Sequence, residues 1–156
     1  MNIRIIILSL TLLIAATPAA YSQKGLDIEP FFEENTPHNP DASVNVVSIT
    51  GNKLKEHDLS IYRSVSVTGD DALAQRVERA VTRDGTKAES REVSLKKGRL
   101  YFGFYSLPPV DNDNRHTGEN RYIFYLNSTL DGGKKITLIY LQGKAEPWQI
   151  RRMIKK

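Results

Sequence analysis

With 156 residues, 26% of them charged and 40% hydrophobic, the chain has the length and balance of one soluble globular domain. The absence of cysteine excludes disulfides, thiol nucleophiles and cysteine-ligated zinc, and removes the acylated cysteine of a lipoprotein. A net charge of +4 falls short of the concentrated basic stripe of a nucleic-acid binder.

Residues 1–22 read as a cleavable export leader. Arg4 gives a short basic start, residues 5–16 are uncharged and largely apolar, and Pro18 breaks the helix. Ala20 and Ser22 then put small residues where a signal peptidase reads. The apolar run is shorter than the ~20 residues of a membrane-spanning helix. Cleavage is expected after Ser22, leaving Gln23 first and no stable membrane insertion. Residues 23–42, rich in Pro, Asn and acids, predict an N-terminal arm that docks through Leu26, Ile28, Phe31 and Phe32. Residues 43–156 predict a single α+β domain.

Residues 43–50 are rich in Val and Ile and end at Gly51-Asn52, a strand followed by a turn signal. From Leu59 to Val67 the apolar residues alternate with Ser60, Tyr62, Ser64 and Ser66, the period of a half-buried strand. The period then changes. Leu73, Val77, Ala80 and Val81 share one helical stripe over 70–84, while Gln75, Arg76, Glu78, Arg79 and Arg83 lie off it. Asp70 and Asp71 suit the start of that helix and Gly85 its stop. Strands are predicted at 93–96 and 99–107, the second stopped by Pro108-Pro109. A polar loop over 110–120 leads to strands at 121–127 and 135–142, joined by the hairpin signal Asp131-Gly132. Glu146-Pro147 opens a terminal helix whose apolar side is read as Trp148, Ile150, Met153 and Ile154, opposite Arg151, Arg152, Lys155 and Lys156. This order predicts a two-layer α+β sandwich: a mainly antiparallel sheet of about six strands, with both helices on one face.

The aromatic residues gather on three of these strands. Alternation puts Phe102 and Phe104 on one face and Tyr101 and Tyr105 on the other. Phenylalanine has no polar handle and belongs under the helices, so Tyr101 and Tyr105, with Tyr122 or Tyr125, are expected on the open face as a flat contact surface. Cross-strand pairing that merely stabilises the sheet is the plainer account of the same pattern. Asp111, Asn112, Asp113 and Asn114 open like a calcium loop, but Arg115, His116 and Tyr122 stand where that motif needs an acid or amide, Gly and Glu. His38, His57 and His116 have no metal-ligand spacing, and no serine sits in a Gly-x-Ser-x-Gly elbow. No cofactor is expected.

Several segments together carry a resemblance: QKGLDI at 23–28, LSIYRS at 59–64, GRLYFGFYSLPP at 98–109, NRYIFYLN at 120–127 and ITLIYLQG at 136–143. The mature chain resembles a family of small exported proteins of unknown function from Bacteroidota. That resemblance implies a periplasmic or extracellular location and no particular activity. The reading is therefore a non-catalytic binding or accessory domain of the cell envelope, taking a protein or glycan partner on Tyr101, Tyr105, Tyr122 and Tyr125 or on Asp111, Asp113 and His116. The alternative is a hydrolytic enzyme using the polar loop 111–119. A third reading has the basic terminal helix dock on an anionic partner.

Overall fold

The period-two segments become strands of one antiparallel sheet in the computed structural model, which describes residues 25–109, 111–112, 115–116 and 118–155. In chain order the elements are β1 (Ser43–Thr50), α1 (Asn52–Lys55), β2 (Leu59–Thr68), α2 (Asp71–Gly85), β3 (Ser90–Lys96) and β4 (Arg99–Leu107). They continue with β5 (Asp111–Asn112), β6 (Arg115–His116), β7 (Asn120–Asn127), β8 (Lys135–Gly143) and α3 (Pro147–Ile154). The sheet runs β1-β2-β8-β7-β4-β3, and every neighbouring pair is antiparallel. β8, the last strand in sequence, thus lies between β2 and β7. The segment read as a polar loop contains a small separate ladder, β5 against β6. The leader and its cleavage point lie outside the described residues.

α2 follows its stripe. Leu73, Val77, Ala80 and Val81 are all buried, against Ile61, Val65 and Val67 of β2, Ile123 and Tyr125 of β7, and Ile136, Leu138 and Tyr140 of β8. Its first turn is held by Asp70, whose carboxylate accepts from the Leu73 N–H at 2.8 Å and from the Asn39 N–H at 2.7 Å. Those bonds hold the Asp70 carboxyl below its usual range, the Asn39 bond most of all. Near the other end, buried Asp84 accepts from the Asp27 and Ile28 N–H groups, both at 2.9 Å. That grip seats the arm: Leu26, Ile28, Phe31 and Phe32 all join the core under α2.

The other helix departs from expectation. Ile150 of α3 packs with Phe104, Tyr122, Leu141, Leu59 and Leu54 in a second cluster. Phe104 alternates with Tyr105, which belongs to the α2 cluster, so the two helices sit on opposite faces of the sheet rather than on one. The reason is occupancy. α2 and the arm already fill the first face, and the apolar residues of the second need their own cover. α3 has 8 residues, so it covers only one end of that face and leaves Phe102, Leu126 and Ile139 half-buried.

Candidate functional site

The predicted tyrosine surface does not form. Tyr105 is 4% exposed, Tyr122 1% and Tyr125 0%. Strand alternation separates tyrosines from phenylalanines as expected at Phe104 and Tyr105, but the faces are inverted. Tyr105 and Tyr125 lie under α2, while Phe104 and Tyr122 stack at 5.7 Å beneath α3. Two of the buried phenolic oxygens find protein acceptors in place of water. The Tyr122 hydroxyl donates to the Ala145 carbonyl at 2.7 Å, and that of buried Tyr140 donates to Gln142 Oε1 at 2.9 Å. Burial pushes the Tyr122 pKa up to about 12 and raises those of Tyr105 and Tyr125.

Tyr105 also needs two glycines. A Cβ on Gly103 would stand 2.6 Å from its ring and one on Gly85 2.5 Å, so the ring lies between its own strand and the end of α2. Gly85 ends α2 as read from the sequence, but its φ is not positive; it is there because the ring is close. Of the four tyrosines expected on that surface, Tyr101 alone stays partly exposed, at a bulge in β4. The Lys96 ammonium sits 4.0 Å above its ring and 2.7 Å from Asp131, while the Tyr101 hydroxyl donates to Asp131 at 3.2 Å. This trio ties the β3–β4 hairpin to the turn before β8.

Asp113 lies outside the described residues, as do the side chains of Asp111 and His116, whose backbones pair across β5 and β6. Glu119, the last residue of the predicted polar loop, is tethered to the sheet. Its carboxylate accepts from Ser60 Oγ at 3.0 Å and from Gln142 Nε2 at 2.7 Å. His38 and His57 sit in separate segments, and among the described residues no three acids or histidines form a metal-ligand cluster. Likewise, no described helix is long and apolar enough to cross a membrane.

The surface that does gather chemistry lies on α3. Trp148, Arg151, Arg152 and Lys155 line one shallow depression of ≈470 Å³. Their spacing of i, i+3, i+4 and i+7 is that of a single helical face. Trp148 is 63% exposed and Met153 36%. Pairing Trp148 with Ile150 on one apolar side is therefore corrected: the two are ~200° apart around a helix, and only Ile150, with Ile154 one turn on, faces the sheet. That angle, read from the sequence, is the signal that finds the surface.

The helix is firmly seated. A capping box starts it, with Gln149 Oε1 accepting from the Glu146 N–H at 2.7 Å while its Nε2 donates to Asp58 at 3.1 Å. Arg151 reaches inward, over the Phe104 ring at 5.3 Å and to Glu92 at 3.5 Å. Arg152 and Lys155 make no ion pair among the described residues.

A second depression, of ≈170 Å³, is lined by Asp27, Phe31, Arg76, Arg79, Ala80 and Arg83. Its cations mostly serve the arm. Arg83 meets Asp27 at 3.6 Å, and Arg76 lies 5.7 Å from the Phe31 ring while donating to the Pro37 carbonyl.

A family model matches residues 15–154, taking in arm, sheet and α3. The chain belongs to a family of unknown function, DUF6108. No curated protein and no solved structure matches this DUF6108 member.

Proposed function

We propose that the protein is an exported, non-catalytic binding or accessory module of the bacterial cell envelope, with its contact surface on α3. The observation that carries this is Trp148. A 63% exposed indole, the chain's one tryptophan, stands beside cations on a helix rigidly seated on the sheet. Exposed aromatics flanked by arginine are the residues that anchor interfaces. The leader-like pattern of residues 1–22 supports export, and the resemblance of several segments to small exported Bacteroidota proteins supports the envelope.

The test is fractionation of cells expressing the full chain, with N-terminal sequencing of the envelope-associated protein. The expected sequence begins at Gln23, and Trp148→Ser with Arg152→Glu should release the protein into the soluble fraction. An intact Met1 removes the cleaved-leader part of the reading. Unchanged retention of the double variant removes the surface. The hydrolytic alternative, on Asp111, Asp113, Arg115 and His116 of the polar loop 111–119, is favoured only if Asp113→Asn with His116→Ala abolishes a measured ester or glycoside hydrolysis.

A further inference from the structure

The outer face of α3 offers one kind of chemistry. Arg151, Arg152 and Lys155 contribute hydrogen-bond donors and positive charge, with no carboxylate or amide among the residues lining the depression with Trp148. A sugar ring needs acceptors as well as donors for its hydroxyls, and an acidic protein segment would be held by paired geometry within a defined groove. A lipid phosphate is a pure acceptor, and it comes in a plane wide enough to meet a shallow, open surface. Of the acids around α3, Glu92 pairs with Arg151, Asp58 accepts from Gln149, and Glu146 caps the start of the helix.

We propose that this face adsorbs peripherally on an anionic phospholipid surface, with the Trp148 ring at headgroup depth and Arg152 and Lys155 on lipid phosphates. This rests on the binding-module reading and names its partner. Indole rings favour the membrane interface because their bodies are apolar and their N–H stays hydrated. Each Arg or Lys near an anionic bilayer adds about a five-fold increase in binding, an attraction that salt screens. The capping box, the Gln149–Asp58 bond and buried Ile150 fix the helix beforehand, so little ordering opposes contact. Nothing inserts as a span: the apolar side of α3 is committed to the sheet through Ile150.

The single tryptophan makes the test direct, since all indole emission comes from this face. The exported protein, its N-terminus verified, is titrated with vesicles of phosphatidylethanolamine containing phosphatidylglycerol, and separately with phosphatidylcholine vesicles. A blue shift and co-sedimentation with the anionic vesicles alone, reversed by molar salt, are expected. Arg152→Glu with Lys155→Glu should cut that binding at least ten-fold at an unchanged melting temperature. No response to anionic vesicles at low salt, or equal binding by the double variant, overturns the proposal. A blue shift with a soluble polyuronate but none with vesicles reassigns the face to an acidic glycan. If envelope retention still depends on Trp148 while vesicles do not bind, the lipid assignment fails and the module reading stands. If neither depends on Trp148, both fail.

Discussion

Asp84→Asn tests how the arm is held. Asp84 is wholly buried, and each carboxylate oxygen accepts one arm N–H, from Asp27 and Ile28. Burying Leu26, Ile28, Phe31 and Phe32 contributes about 6–12 kcal/mol at 1.5–3 per side chain. Ordering residues 25–33 costs about 9–18 kcal/mol at 1–2 per residue. The two terms nearly cancel, so the two charge-assisted hydrogen bonds, about 3–6 kcal/mol together, decide whether the arm stays down. Asparagine keeps one acceptor and turns an N–H₂ donor toward the other backbone N–H. The expected cost is about 1.5–3 kcal/mol, read as a lower urea midpoint. Cleavage at the exposed Glu33 and Glu34 by a glutamate-specific protease should then precede global unfolding. Amide exchange at Asp27 and Ile28 should accelerate in step. A variant within ~0.5 kcal/mol of the parent, with both amides still protected, refutes the reasoning.

Alkaline pH should weaken the domain steeply. Burial raises the Tyr105, Tyr122 and Tyr125 pKa values, so between about pH 10 and pH 12 the folded state keeps protons that the unfolded chain releases. Stability is therefore level below about pH 10 and falls above it, by about 2–3 kcal/mol from Tyr122 alone; an ultraviolet phenolate titration in which all 7 tyrosines ionise together near 10 contradicts this. Val77→Asp buries an unpaired charge at a fully enclosed site and should unfold the domain, whereas Arg79→Asp on the exposed side should shift a urea melt by under ~1 kcal/mol. Gly103→Ala should cost about 1–3 kcal/mol by displacing the Tyr105 ring. Adding Tyr105→Leu should recover part of that loss; strict additivity in the thermal melts argues against the contact.

Periodicity made the elements legible because burial imposes it. The stripe Leu73, Val77, Ala80 and Val81 is the buried one, and strands 59–67 and 99–107 lie within β2 and β4. Which layer covers each sheet face was not legible. Alternation separates Phe104 from Tyr105 without saying which of them meets α2, and the choice turned on remote partners. Ala145 supplies the acceptor for Tyr122, and Gly85 clears space for Tyr105. Neither relation has a local signature. Trp148 was misplaced for a different reason: an 8-residue helix is too short for composition to reveal its phase, although the angle between positions 148 and 150 does.

The position of β8 bears on how the chain becomes folded. Until residues 135–143 have been made, the β1–β2 hairpin and the β3-β4-β7 meander share no strand pairing, and each exposes an unpaired edge where β8 will enter. The decisive pairings join residues far apart in sequence, Val67 with Ile136 and Tyr62 with Leu141. Such topologies fold slowly, because a long loop must close before the pairing rewards it. Nascent or shortened chains are thereby left with two open edges and a tendency to self-associate. For a polypeptide that crosses a membrane before it folds, as we propose for this one, the same delay keeps the chain threadable until its last strand arrives.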